Sequence, residues 1–449
     1  MLRRDFLTQA TLLGAASTLR AQSSDGWALV PGILARIQPP RFPGRDFDVR
    51  RHGAVGDGKT DCRGAIAQAI AECSAAGGGR VVAPAGTWLS NGPIHLAGKV
   101  NLHLEEGCTI RFGTNPADYL PTVLVRWEGT RCYNYSPLIY AYRQENIAIT
   151  GRGIFDGQAS KFWQAWKGKQ TADQEALRKM GSQLTPLEKR AFGEGHFLRP
   201  GMFQAYDCRN LLIEGVTFQD SPFWTMHPVF CANVTVRGVH VLPGTTNDDG
   251  VDPDSSRDVL IEDCVFETAD DNIAIKAGRD QDAWDSPPCE NIVVRRCTGV
   301  RSRANGYCIG SEMSGSVRNV FIQDCKVGDV QSALYVKSNS DRGGAVDGIW
   351  MRDNTVNTCD WFIKIETDYK GVTGHPYPSA YSNFNFESLT CKTARTCGIY
   401  SVGIAAKPVS GVHFKNITIE NAATPSTVAN TSGLDMRNVR INGKLLAFP

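Results

Sequence analysis

The chain has 449 residues, 42% of them hydrophobic, and its 48 Lys+Arg nearly cancel its 46 Asp+Glu. Removing Met1–Ala21 takes away Arg3, Arg4, Arg20 and Asp5 and leaves 45 charges of each sign. So neutral a chain is not built for general nucleic-acid or membrane-surface binding, and any attraction for a charged ligand must be local.

The N-terminus reads MLRRDFLTQATLLGAASTLRAQ. The Arg3-Arg4 pair, the modest apolar run Phe6–Leu19 and the small residue Ala21 form the pattern of a twin-arginine export signal cleaved near Ala21. This predicts a periplasmic or secreted protein; a short amphipathic first helix is the competing reading. No later segment has eighteen apolar residues in a row, so no membrane-spanning helix is expected. Residues 22–449 then read as one domain without a flexible linker.

After Asp61, the stretch CRGAIAQAIAEC puts Ile66, Ala69, Ile70 and Cys73 on one face of a helix, suited to plugging the open end of a core. A repeat follows: ENIAITGRGIF, RNLLIEGVTF, ANVTVRGVHV, RDVLIEDCVF, ENIVVRRCTGV, RNVFIQDCKV, and further units to RNVRINGKLL. Each has Asn, Asp or Gly at a turn and then apolar residues at period two. The units return every 23 to 35 residues with no helical pattern between them. One coil per unit, stacked at about 4.8 Å, predicts an all-β parallel β-helix. A helix-prone stretch at about 158–198, ADQEALRKMGSQLTPLEKRAF within it, breaks the repeat and is expected to project from the solenoid. Of the 14 cysteines, Cys264, Cys297 and Cys325 recur at one repeat position and read as core; Cys391 and Cys397 are the more plausible pair.

The stretch TTNDDGVDPDSS gathers Asp248, Asp249, Asp252 and Asp254. Carboxylates this close raise one another's pKa, so a metal, a catalytic role or a solvated turn must explain them. A calcium loop starting at Thr245 fails, because its first position is not acidic and Ser256 stands where a bidentate Glu is required. Zinc fails for want of clustered His or Cys. No metal and no cofactor is therefore expected. Asp270 and Asp271, in ETADDNIAIKAG, follow Asp249 by 21 residues, about one coil, so the two clusters should stack on one face. Convergent carboxylates whose pKa values are split by repulsion suit glycosidic hydrolysis, with a separation of about 6.5–9.5 Å leaving room for a water and giving inversion.

NDDGVDPDSS, ADDNIAIKAG, NGYCIGSEMSG and YVKSNSDRGG, in this order, resemble the motif series of glycoside hydrolase family 28, the polygalacturonases and their relatives. RRHGAVGDGKTD and SPFWTMHPVFC are similar to segments of its exo-acting bacterial members. The resemblance runs from about Phe47 to the C-terminus. It implies a right-handed parallel β-helix and inverting hydrolysis of a pectic polysaccharide or oligosaccharide without a metal. By the same resemblance Asp270 is the general acid, Asp249 and Asp271 activate water, and Asp252 is a further cleft residue. Asp254 and Asp248 read as a solvated turn.

Two positions depart from the family pattern. Asn305 stands where the family has a histidine, and can hydrogen-bond but not carry a proton. Tyr335 stands where the family has an arginine that clasps a uronate, while Lys337 is kept. This predicts a mixed substrate such as a rhamnogalacturonan fragment, unless Lys276 or Arg342 supplies the missing contact. Lys276, Glu312, Tyr369 and His227 are further candidate substrate contacts, each weighed against surface charge, edge packing or, for His227, a buried hydrogen-bonded role. Arg342 reads as bracing a turn. The competing functions are a β-helix pectate-type lyase, which needs a calcium site and a cationic base, and a non-catalytic glycan-binding solenoid.

Overall fold

The computed structural model describes residues 25–446; the export segment expected at Met1–Ala21 lies outside them. The chain winds as a right-handed parallel β-helix, and its repeat units stack in register. One core column runs Leu102, Ile149, Ile213, Val236, Ile261, Val294, Ile322 and Met351, each paired with the next. These side chains are 0% exposed, because the period-two pattern turns alternate residues inward and the stack above and below excludes water.

The turn position of the repeat has a backbone reason. Asn146, Asn210, Asn233, Asp258, Asn291 and Asn319 all have φ between 53° and 58°, and Gly348 and Gly411 take the same left-handed conformation. Asn and Asp tolerate that region better than other side-chain-bearing residues. The amides also bond from coil to coil, Asn233 Nδ2 donating to Asn210 and Asn210 Nδ2 to Asn146.

Among the described residues three α-helices decorate the coil: α1 (Val30–Arg36), α2 (Arg63–Ala75) and α3 (Thr171–Ser182). Helix α2 buries Ile66, Ala69, Ile70 and Cys73, the face read from the sequence. Helix α1 and Trp27 lie across the outside of the coil on Leu260, Val293, Phe321 and Trp350. Residues 158–198 do not stand clear of the solenoid. Leu177 of α3, Phe192 and Leu198 pack with Val125, Trp127, Phe223 and Trp224, and the strand Ala191–Phe192 extends the hairpin formed by Val123–Trp127 and Thr130–Asn134. The insertion has its own apolar face, so burial holds it down.

All the cysteines are free and buried. The pairing expected of Cys391 and Cys397 is not seen: Cys391 Sγ lies 3.8 Å from Cys359 Sγ in the neighbouring coil, and Cys397 Sγ donates to the Ile399 carbonyl. In a strand, residues six apart share a face but are too distant to bridge.

Candidate active site

Val251 pairs with Met226 on one side and Ile273 on the other, so the two acidic motifs occupy consecutive coils. The chain passes here too closely for a side chain at Gly250, where a Cβ would sit 2.4 Å from the Asn272 carbonyl oxygen. Asp248 is 1% exposed and is no solvated turn residue. Its Oδ1 accepts from the backbone N–H groups of Ala269 and Asp270, and its Oδ2 from Gly244 N–H. It thereby fastens the turn that presents Asp270 to the coil that carries Asp249.

Asp249, Asp270 and Asp271 bring carboxylate oxygens within 4.8 Å of one another. That is closer than the spacing argument called for. The reason is charge balance that one-dimensional reading did not place: Lys276 Nζ lies 3.8 Å from Asp249 Oδ2 and Lys337 Nζ 3.6 Å from Asp271 Oδ2. Both ammoniums are buried and, against the pull of burial, held well above the ordinary lysine pKa, Lys276 by Glu312 and then Asp249, Lys337 chiefly by Asp271.

The carboxylates divide into different states. Burial, and then the charge of Asp271, raise the pKa of Asp270. Burial would raise Asp271 too, but Lys337, Lys276 and the Asn305 amide together hold it below the usual range. Asn305 Nδ2 donates to Asp271 Oδ1 at 2.5 Å, and the Asn305 backbone N–H donates to the same oxygen at 3.1 Å. Asp252 is 0% exposed, and neither of its oxygens meets an N–H or O–H donor among the described residues. Burial, and next the charge on Asp252, push Asp249 well above the usual range; Asp252 is raised chiefly by burial. One proton shared by the two resolves the conflict. The Lys276 ammonium favours the charged form of both, so the pair together holds one negative charge.

The aspartates open into a cavity of about 310 Å³, also lined by Lys276, Glu312, Lys337 and Tyr369, all expected from the sequence. Four other expected contacts do not line it. Asn305 lies beneath Asp271. His227 is 2% exposed: its Nδ1 accepts from Gln204 Nε2 and its Nε2 donates to Asp254, so it is a core histidine. Tyr335 is 6% exposed; its hydroxyl donates to Glu366 and Lys364 Nζ donates to that hydroxyl. Its ring is edge-on to Tyr369, so it offers no open aromatic face to a sugar. Asp252, too, supports the site from below. Lining residues that the sequence did not reveal are Glu128, Arg178 and Arg279. Arg342 both braces and lines, donating to Asp280 and Ser311 while its side chain borders the cavity.

The family model for glycosyl hydrolases family 28 matches residues 192–439, which carry every one of these aspartates. The chain belongs to glycosyl hydrolase family 28. It is similar to the hyperthermoactive exopolygalacturonase from Thermotoga maritima, at 38% identity and a TM-score of 0.89 over 93% of this chain and 96% of that one. It is 27% identical to a probable polygalacturonase of Vitis vinifera, covering 85% of this chain and 76% of the relative. The exo-poly-alpha-D-galacturonosidase of Dickeya chrysanthemi is 22% identical over 88% of this chain and 70% of its own. This family 28 chain is thus a glycoside hydrolase.

Beneath the cavity of the family 28 enzyme, Arg126 and Asp254 form an ion pair at 2.9 Å with both side chains 0% exposed. Asp254, like Asp248, is structural rather than solvated; it also accepts from Gly278 N–H. Removing one partner of such a pair strands the other charge. Arg126→Met is therefore expected to lower stability by about 3–5 kcal/mol in chemical denaturation. A loss below about 1 kcal/mol, the range of exposed pairs, would show that the pair is not holding the cavity floor.

Proposed function

We propose that this family 28 enzyme is an inverting hydrolase that removes sugar units from the ends of galacturonate-containing pectic chains. The observation that carries the chemistry is the split between adjacent carboxylates: Asp270, whose pKa is raised, stands beside Asp271, which is held as an anion, and Asp249 lies within reach of both. Asp270 gives its proton to the glycosidic oxygen as the bond to the anomeric carbon breaks. A water held by Asp249 and Asp271 attacks that carbon and passes a proton to one of them, leaving two free sugars. With Asp271 taking the proton from the water while Asp270 protonates the leaving oxygen, a single displacement inverts the anomeric centre.

Chain-end attack is supported by the likeness to the Thermotoga maritima exopolygalacturonase and by the walls of the cavity. Glu128, in the turn of the hairpin, and Arg178 of α3 both line the cavity and bond to each other at 2.6 Å, so the hairpin and the insertion together form part of its wall. A lyase would need a neutral cationic-type base, but Lys276 and Lys337 are both locked as ammoniums by carboxylates.

Asp270→Asn is expected to lower kcat by about 10²–10⁴-fold with substrate binding largely kept. Retention of more than about a tenth of wild-type turnover would sink the general-acid assignment. In a digestion by the wild-type enzyme, NMR should show the inverted anomer of a single sugar unit appearing first; early mixed oligomers would contradict chain-end attack, and the retained anomer would contradict single displacement.

Asn305 predicts a pH effect with a definite sign. Its amide stabilises ionised Asp271, so Asn305→Ala should raise the Asp271 pKa and move the acidic limb of kcat/KM to higher pH, leaving the alkaline limb set by Asp270 in place. An unmoved acidic limb would mean that the amide does not tune the base.

A further inference from the structure

The buried position of Tyr335 leaves a question for the enzyme proposed above: which group holds an acidic sugar, if the family's arginine is absent. The lining of the cavity holds three guanidiniums, and they are not equivalent. Arg342 has all three of its nitrogens engaged, Nε on the Ser311 carbonyl at 2.7 Å, Nη1 on Asp280 at 2.6 Å and Nη2 on Ser311 Oγ at 3.3 Å. Arg279 donates one hydrogen bond, from Nη1 to Glu312 Oε1 at 3.1 Å, with its Nε 3.4 Å from Asp280 Oδ2, and Arg178 donates one, from Nη2 to Glu128 Oε2 at 2.6 Å; the buried Nε of each makes no hydrogen bond among the described residues.

Both side chains border the same cavity as Asp249, Asp270 and Asp271. Their backbones arrive by separate routes. Arg279 follows the strand Ile273–Ile275 and its N–H donates to the Gly129 carbonyl at 3.0 Å, which ties it to the hairpin turn; Arg178 comes from α3 of the insertion. Gathering guanidiniums costs free energy. Burial and the nearby charges of Arg342 and Arg178 depress the Arg279 pKa to about 10, in spite of Glu312. A carboxylate entering the cavity would relieve that repulsion and engage unspent N–H donors, whereas a neutral hydroxymethyl group would do neither.

We propose that Arg178 and Arg279 together bind the carboxylate of the sugar ring that occupies the walled end of the cavity, which makes them the specificity-determining residues for a terminal uronate. The assignment rests on the chain-end reading of the site. It places uronate recognition on the insertion and the hairpin turn rather than on the strand that carries Tyr335, and it competes with the expectation of a preference for a mixed substrate drawn from Tyr335.

The test uses two oligogalacturonates that differ only in the terminal ring, one with a free carboxylate and one with that group reduced to the galactose alcohol. The wild type should prefer the free acid in kcat/KM by about tenfold or more, the scale of one charge-assisted hydrogen bond. Arg178→Met and Arg279→Gln should each lose about 10–100-fold on the free acid and less than about threefold on the reduced oligomer. Binding of D-galacturonate and D-galactose to the Asp270→Asn protein, with and without Arg178→Met, reports the same preference without turnover. Equal losses on both oligomers, or a wild type that does not discriminate, overturn the assignment. Early mixed oligomers together with an Arg178-dependent acid preference would instead sink the chain-end reading and leave the carboxylate assignment standing. Single sugars released first, with no Arg178-dependent preference, would do the reverse.

Discussion

The constraint on which everything else depends is the in-register stacking of parallel coils about 4.8 Å apart. It converts a separation of about one coil in the sequence into contact in space. Asp249 and Asp271 become neighbours because Val251 pairs with Ile273, and Lys276 and Lys337 are carried to the same patch because Gly310 of the coil between them pairs with Lys337 while accepting a hydrogen bond from Lys276. The core column supplies the driving force and the left-handed Asn and Asp turns supply the corners. The acidic patch is tolerated on a scaffold whose free energy is gained elsewhere.

Bringing carboxylates together creates the second constraint, which is electrostatic. Left alone, Asp249, Asp252, Asp270 and Asp271 would all retain protons and none would activate water. The two buried ammoniums and the Asn305 amide select which acids ionise. Because Lys337 and Asn305 both act on Asp271 and neither donates to Asp270, the repulsion between adjacent residues is resolved in one direction. Glu312 then matters through Lys276, whose ammonium it meets at 3.3 Å, and Trp224 offers that ammonium its ring face at 4.7 Å.

The fold was largely legible in the sequence, since period-two apolar alternation and Asn or Asp corners are local signals that recur in every coil. The meeting of the aspartate triad was legible for the same reason: Asp249 and Asp270–Asp271 sit at matching points of consecutive repeats. What surrounds the triad was not. Arg279 lies only three residues beyond Lys276, yet its direction is set by the Gly129 carbonyl, about 150 positions earlier. Arg178 reaches the cavity only because Leu177, its neighbour, is buried against the hairpin. Asp248 and Asp254 looked like a solvated turn because their partners, backbone N–H groups and Arg126, are invisible in the local sequence. Tyr335 was placed at the right point of its coil, but the ion pair of Lys364 with Glu366 draws its hydroxyl away from the cavity.

The central claim is that adjacent aspartates hold different protonation states because of where the lysines and Asn305 lie. The most direct measurement is a ¹³C NMR titration of carboxyl-labelled aspartate, with Asp270 and Asp271 assigned from their single Asn variants. The account predicts that Asp271 ionises below the surface aspartates and that Asp270 keeps its proton at a pH where those aspartates have lost theirs. If Asp270 instead ionises with the surface aspartates while Asp271 stays protonated above them, the division of roles between acid and base is wrong.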